Sequence, residues 1–289
     1  MNTPKVTIGM PVFNDVDYIE KSIQSVLKQS YKNFELVISD DQSTDGSADI
    51  CKKYEQSDSR IKYVRQPKNL GISKNMKFLL NQSNSEFFIW AADDDLWAPE
   101  FLKILVQTLE DNPKYICAFS TFTHINEKGN IIDKPLDFDF EGKSAKQRIK
   151  KLIVDPFDAF GYGLFRRELI KNVKFPVWVW PNKSVSWNNI YPTLFYYLAK
   201  GNYKHVHGEP LFFNRVKTRT NHSLTRKSKV YHLFAFVIRK INLFTACFIN
   251  ITKGGQFKTA LLLGPLLIKK WVIVPVYYEF KSVLATRRK

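Results

Sequence analysis

The chain has 289 residues, 44% hydrophobic and 15% aromatic, enough to bury a sizeable core, which excludes a globally disordered protein. Its 12 Gly and 13 Pro follow no period, which excludes a collagen-like or coiled-coil fibre. The formal charge of +17 is unevenly placed: residues 1–200 carry 27 basic and 25 acidic side chains, whereas residues 201–289 carry 17 basic ones against Glu209 and Glu279 alone.

The first residues lack the basic segment and apolar run of a secretory signal, and residues 6–12 (VTIGMPV) read instead as a buried strand. A helical pattern follows, with Ile19, Ile23, Val26 and Leu27 on one face. Residues 34–39 (FELVIS) form a second apolar run, with a helix starting near Thr44 and Asp45. Residues 61–64 (IKYV) form a third, followed by a helix from about Ile72 to Leu80. Residues 87–90 (FFIW) form a fourth, followed by a helix from Pro99 to about Glu110, where proline suits the first turn. Apolar runs alternating with helices predict an α/β fold of βαβ units with a mainly parallel central sheet flanked by helices. Ligands of such sheets bind outside the carboxyl ends of the strands. Cys51, Cys117 and Cys247 are odd in number and far apart, so they give neither a disulfide framework nor a Cys-based zinc site, and a reducing compartment fits.

The residues at those strand ends are polar and acidic. Asp93, Asp94 and Asp95 close the fourth run, and three adjacent carboxylates repel one another unless a cation compensates. A hard divalent ion such as Mg2+ or Mn2+ takes carboxylates and substrate phosphates. Asp40 and Asp41 end the second run, ahead of three competent helix caps in Ser43, Thr44 and Asp45. A carboxylate there can accept the imide N–H of uracil or an amide from another base. Residues 69–75 (NLGISKN) offer a tight turn at Gly71 and a phosphate partner in Lys74. No GxGxxG or GxxxxGK[ST] sequence supports dinucleotide or P-loop binding. His205 and His207 alternate on a predicted strand and His124, His222 and His232 stand alone, so each reads as a single core or surface histidine.

These residues carry a resemblance. Residues 6–14 (VTIGMPVFN), 19–33 (IEKSIQSVLKQSYKN), 35–47 (ELVISDDQSTDGS), 69–75 (NLGISKN) and 91–99 (AADDDLWAP) resemble, in order and spacing, the family 2 glycosyltransferases. That family comprises inverting enzymes with a GT-A fold, a Rossmann-like α/β architecture. The match is specific over about the first 115 residues and looser over residues 157–224, through GLFRREL and GEPLFFNR. The resemblance implies a glycosyltransferase domain over residues 1–224, with a nucleotide-sugar-binding half at 1–115 and an acceptor half at 116–224. It implies that Asp41 contacts a uracil-type base and that Pro11 and Asn14 line the same pocket. Asp94 and Asp95 match the family's metal-dependent acidic pair. On that reading Asp95 is the direct ligand of Mn2+ or Mg2+, Asp94 lies near the donor ribose or sugar, and Asp93 is an added carboxylate. The implied reaction moves a sugar from a nucleotide-diphosphate sugar, a UDP-sugar first, to a glycan or lipid-linked saccharide acceptor in surface polysaccharide synthesis. A carboxylate base must take the acceptor proton. The position where the family places it falls on Asn188 and Asn189, so Asp158 and Asp155 are the nearest substitutes. A nucleotide-binding but catalytically weak homologue is the alternative. The aromatic set Phe157, Phe160, Tyr162, Trp178, Trp180, Trp187 and Tyr191 suits sugar stacking or a small core equally.

Residues 225–289 form a basic and apolar helical extension. Apolar stripes flanked by Lys and Arg suit helices lying on an anionic membrane face. Lys269, Lys270, Pro265 and Pro275 interrupt the stretch from Ala260 to Tyr278, which therefore reads as interfacial rather than spanning. The expected location is cytoplasmic, peripheral on the inner face of the cell membrane. A nucleic-acid-binding protein would explain the basic tail but not five carboxylates at a sheet edge, so no nucleic-acid partner is expected.

Overall fold

A computed structural model of the chain describes residues 3–137, 140–176, 191–217 and 229–278. Asn188, Asn189, Trp178, Trp180, Trp187 and His222 lie outside the described residues. In chain order the elements are β1 (Val6–Val12), α1 (Ile19–Leu27), β2 (Phe34–Asp40), α2 (Ser47–Ser57), β3 (Ile61–Arg65), α3 (Ile72–Gln82), β4 (Phe87–Trp90), β5 (Leu96–Trp97), α4 (Phe101–Asp111), β6 (Tyr115–Ser120) and β7 (Phe122–Ile125). There follow α5 (Ala145–Val154), β8 (Leu164–Arg166), α6 (Arg167–Ile170), α7 (Tyr191–Lys200), β9 (Asn202–Val206), β10 (Phe212–Arg215), α8 (Lys229–Lys253) and α9 (Phe257–Ile268), which runs into a π-helical turn (Lys269–Ile273). The chain forms two compact units.

The first unit gathers Met1–Gly142, Ala159–Asn172 and Gly201–Thr218. Its seven-stranded sheet has the order β3-β2-β1-β4-β8-β6-β9. β8 runs antiparallel to β4 and β6, and the other pairings are parallel. The predicted α/β class with a mainly parallel sheet is what the chain adopts. A second sheet, β5-β10-β7, is three-stranded. The near-continuous apolar runs form strands because both faces of the sheet are covered. Ile8, Met10, Leu36, Ile38, Phe88 and Ile89 are fully buried. Gly9 sits where a Cβ would come within 2.7 Å of the Phe88 ring, so this central strand needs a residue without a side chain.

The register positions the functional edge. β1 and β2 pair without a break from Val6↔Phe34 to Val12↔Asp40, so the loops after both strands leave at one level. The loop after β4 joins them, since Ala91 N–H donates to the Gly9 carbonyl. Two helix starts differ from the sequence expectation, each for a visible reason. α2 starts at Ser47 because the Ser43 and Asp45 side chains bind the 14–16 loop, taking the Asn14 and Val16 N–H groups at 3.0 and 2.9 Å. Gly46, at φ 103°, makes the turn between them. α4 starts at Phe101 rather than Pro99 because Ala98 N–H is taken by Leu211 and the Pro99 carbonyl by Ser30.

The second unit gathers Lys143–Asp158, Val173–Lys200 and Arg219–Lys289, so α5 and α7 group with the C-terminal helices. Ser144 and Gln147 close a capping box at the start of α5. Buried Arg148 ties α5 to α7 by donating to the Leu198 carbonyl at 3.1 and 2.9 Å. Trp271 donates to the Ile153 carbonyl at 3.0 Å and packs edge-on against Tyr191 and Phe195. Phe257–Tyr278 is a 22-residue helical stretch with an 18-residue window of mean hydropathy 1.6, long and apolar enough by length and composition to cross a membrane. The sequence reading set spanning aside because of Lys269 and Lys270, which fall on the exposed side of the π-helical turn. Cys51, Cys117 and Cys247 are buried and free.

Candidate active site

Two acidic loops meet at the carboxyl edge of the first unit, and they are compensated differently. After β2, Asp40 is fully buried. It accepts from Ser43 N–H at 2.8 Å and from the Tyr63 hydroxyl at 2.7 Å. Its role is to hold the turn. Asp41 is also buried, and its two oxygens accept from Leu70 N–H at 2.6 Å and Gly71 N–H at 2.8 Å. Burial pushes the Asp41 pKa up, and the two backbone bonds oppose that rise. Asp41 therefore pins the 69–71 loop over the end of β2. Lys74 lies exposed in the first turn of α3, just beyond that loop.

Backbone strain concentrates at the same place. Asn14 (φ 54°) and Gln42 (φ 70°) are the non-glycine residues in the left-handed region, among those described. Asn14 Oδ1 accepts from Thr44 N–H at 2.8 Å, which crosslinks the loops after β1 and β2. Strained residues of this kind persist where surrounding bonds over-determine them, and they collect at ligand sites. Pro11 is partly buried at the end of β1.

After β4 the compensation comes from charge. Asp15, Asp93 and Asp94 each present an oxygen, and the three lie within 4.8 Å of one another. Asp93 accepts weakly from Phe13 N–H at 3.3 Å. Burial, then the charges of Asp15 and Asp94, push the Asp93 pKa well above the usual carboxylate range. Lys217 enters from beyond β10 and places its ammonium 2.6 Å from Asp15 and 2.8 Å from Asp94. Burial alone would lower the Lys217 pKa; the hydrogen bonds to Asp15 and Asp94 outweigh it and raise the value. Asp95 turns the other way. It accepts from Arg215 N–H at 2.7 Å and from the Asn214 amide at 3.2 Å, which fastens the loop to β10. Burial first, and the Asp94 charge second, push its pKa up to about 8. Arg215 spans the rest, donating to the Asp94, Asn126 and Glu127 carbonyls at 2.8, 2.7 and 2.9 Å over the Tyr18 ring.

The structure thus brings Pro11, Asn14, Asp41, Asp93, Asp94 and Asp95 to one edge of the first unit. Asp93 and Asp94 share a cluster, and Asp95 stands beside it with its oxygens bonded to β10. Asp15, Arg215 and Lys217 were not singled out as site residues. Asp15 carried a signal, lying in the loop after the first strand, whereas the two cations lie some 120 residues downstream of the Asp triplet. Asp158 is exposed and belongs to the second unit, and Asn188 and Asn189 lie outside the described residues. Of the aromatic set, Phe160 is fully buried against Phe140 and Tyr203, as core.

A Rossmann-like sheet with a carboxylate cluster at its carboxyl edge matches the arrangement expected of a GT-A type domain. The family model described as glycosyl transferase family 2 matches residues 7–174, and the chain belongs to that family. Among curated relatives, a Campylobacter jejuni GalNAc(5)-diNAcBac-PP-undecaprenol beta-1,3-glucosyltransferase is 28% identical over 200 residues, covering 68% of this chain and 63% of that protein. The putative teichuronic acid biosynthesis glycosyltransferase TuaG of Bacillus subtilis is 34% identical over 133 residues, 45% of this chain and 52% of its own length. The chain therefore spans less than two thirds of these relatives. Among solved structures, Staphylococcus aureus TarS 1–349 in complex with UDP-GlcNAc aligns over 92% of this chain and 79% of its own, with a TM-score of 0.56 at 14% identity. A Pyrobaculum calidifontis mannosyltransferase in complex with GDP-Man and Mn2+ aligns over 100% and 81%, with a TM-score of 0.51 at 14% identity. Both share the fold.

Proposed function

We propose that the chain is an inverting, metal-dependent glycosyltransferase. It moves a sugar from a nucleotide-diphosphate sugar, a UDP-sugar first, to a glycan or lipid-linked saccharide in surface polysaccharide synthesis. The observation that carries this reading is the Asp15–Asp93–Asp94 cluster at the sheet's carboxyl edge, on the same rim as Asp41. The Campylobacter jejuni relative, whose name specifies an undecaprenol-diphosphate-linked acceptor, supports the lipid-linked class.

Three carboxylates within 4.8 Å form an all-oxygen donor set, which fits Mg2+ or Mn2+. Such an ion, when bound, supplies Lewis-acid neutralisation of a departing nucleoside diphosphate. The chain's own residues do the rest. Asp93 and Asp94 would hold the ion with Asp15, whereas Asp95, expected from the sequence as the direct ligand, has its oxygens bonded to Asn214 and Arg215 and keeps their loop on β10. Asp41 uses one lone pair of each oxygen on the 70–71 backbone, which leaves a second for the imide of a base. Pro11 and Asn14 wall the base pocket, and Lys74 meets phosphate. The acceptor proton passes to a carboxylate base; the family's position for it falls on Asn188 and Asn189, whose amides cannot take a proton, so Asp158 and Asp155 are the nearest candidates. The exposed Leu261, Leu262, Ile273 and Tyr278, with Lys269 and Lys270, hold the protein on the anionic inner face of the cell membrane.

Release of nucleoside diphosphate from a panel of nucleotide sugars tests the reading. UDP release that needs Mn2+ or Mg2+ and an added lipid-linked saccharide is expected; binding without turnover would leave the catalytically weak homologue. Kinetics of Asp158→Ala, Asn188→Ala and Asn189→Ala locate the base, and full turnover in all three would remove this region. Flotation with anionic liposomes tests the tail, with the full-length protein staying unbound as the contrary result.

A further inference from the structure

A second cluster of metal-binding side chains lies in the first unit, apart from the carboxylates of the donor edge. His205 and His207 are two residues apart, at and just after the end of β9, so both rings project to one side of the strand. Asp137 arrives from the excursion that follows β7. One imidazole nitrogen of each histidine and a carboxylate oxygen of Asp137 lie within 4.8 Å of one another. His205 Nε2 is 2.8 Å from Asp137 Oδ1, and His207 Nδ1 is 3.4 Å from Oδ2.

We infer that Asp137, His205 and His207 form a binding site for an imidazole-preferring divalent transition metal, of which Zn2+ is the type. Four lines of geometry carry the inference. The first is size. Zinc bonds to nitrogen and oxygen are roughly 2.0–2.2 Å long, so ligand atoms around a tetrahedral ion stand about 3.3–3.5 Å apart. The 3.4 Å contact falls in that range and the 2.8 Å contact lies about half an ångström below it, so an ion enters by replacing the His205–Asp137 hydrogen bond and spreading that pair slightly. The second is chemistry. Two imidazoles and one carboxylate suit Zn2+, Co2+, Ni2+ or Cu2+ rather than the Mg2+ or Mn2+ that an all-carboxylate site prefers. The third is orientation. The Thr121 hydroxyl donates to the same Asp137 oxygen that faces His205, and the Phe119 ring packs edge-on against His205 at 5.6 Å. Outer partners that fix a ligand in this way are a regular part of metal sites. The fourth is access. The His205 side chain is 2% exposed, while Asp137 and His207 are 49% and 59% exposed. The ion would have three protein ligands on its inner side and an open position toward water.

The backbone holds these ligands in place without a metal. Leu136 and Phe122 exchange two hydrogen bonds, and Ile132 N–H donates to the His124 carbonyl, so Asp137 follows directly on a paired residue. β9 is the last strand of its sheet and pairs with β6 alone. An ion bridging Asp137 to His205 and His207 would staple the excursion after β7 to that edge strand. The sequence reading took His205 and His207 each as a single core or surface histidine, because the third ligand lies 68 residues upstream, where no spacing rule points to it.

The test uses the full-length protein stripped of metal with a chelator and titrated with Zn2+ by calorimetry, and with Co2+ by visible absorption. In Asp94→Asn, where the donor-edge carboxylates are impaired, one equivalent of Zn2+ should bind, and Co2+ should show the d–d bands of a tetrahedral nitrogen and oxygen site. His207→Ala, an exposed change, should weaken Zn2+ binding at least ~100-fold while leaving the metal-free melting temperature unchanged. Asp137→Asn should weaken it as well. Asp94→Asn should leave the Zn2+ site intact, which separates it from the donor edge and from the fate of the proposed transferase activity. Absence of a bound equivalent, or Zn2+ binding that survives His207→Ala undiminished, would overturn the assignment.

Discussion

Asp40–Asp41 and Asp93–Asp95 are both acidic runs at the carboxyl ends of parallel strands in one sheet, yet they are balanced by different means. The first is held mainly by neutral donors, Ser43 N–H, the Tyr63 hydroxyl, and the Leu70 and Gly71 N–H groups, with the Arg65 guanidinium at 3.9 Å from Asp40 as its one nearby cation among the described residues. The second is held by cations and a backbone group from β10 and just beyond it, Arg215 and Lys217. Donors fixed by the backbone set a shape and have no substitute. A lysine ammonium is a mobile point charge, and another cation can take its place. The comparison separates a rim that fixes the pocket's shape from a rim that is ready to receive a metal.

The largest expected effect is on catalysis. Asp94→Ala should lower kcat/KM for sugar transfer by about 10²–10³, the usual scale for losing one preorganised electrostatic group. Turnover within a few fold of the native chain would break the comparison. Next is Arg215→Ala, which removes a buried side chain that satisfies three carbonyls. We expect a loss of ~3 kcal/mol in urea unfolding, and a loss under ~1 kcal/mol would contradict the clamp.

Lys217→Met sharpens the contrast further. Without metal it should cost ~1 kcal/mol, because Asp15 and Asp94 lose their counter-charge at a partly solvated site. Added Mn2+ should then raise the melting temperature more in the variant than in the native chain, since the ion no longer competes with the ammonium. An equal or smaller rise would show that lysine and metal do not share the site. Asp41→Asn is the smallest change. One acceptor oxygen remains for two N–H groups, which should cost ~1 kcal/mol whether or not Mn2+ is present. A metal-dependent cost there would erase the distinction between the two rims.

The legible part of the sequence was local. Strands β1 to β4 and the helices between them follow from apolar runs because both sheet faces are buried, and the strand-end rule then placed Asp41, Asp93, Asp94 and Asp95 on one edge. What the sequence did not show was non-local. Arg215 and Lys217 fell in the loosely matched end of the acceptor half, and nothing in residues 212–217 announces that this strand joins β5 in a second sheet. Asp15 was not singled out, because only the fold sets it beside Asp93 and Asp94. The two shifted helix starts have the same origin, with tertiary bonds claiming the caps that local rules assign to the helix.

The most direct test of the central claim is thermal unfolding of the native chain and of Asp94→Ala with UDP, GDP and dTDP, each with Mn2+ or with EDTA. A ligand held only by the folded state at about 100 times its Kd adds ~2.7 kcal/mol. The account predicts an upshift with UDP that needs Mn2+ and disappears in Asp94→Ala. No shift with any nucleotide, or one that persists undiminished in Asp94→Ala or in EDTA, would contradict it.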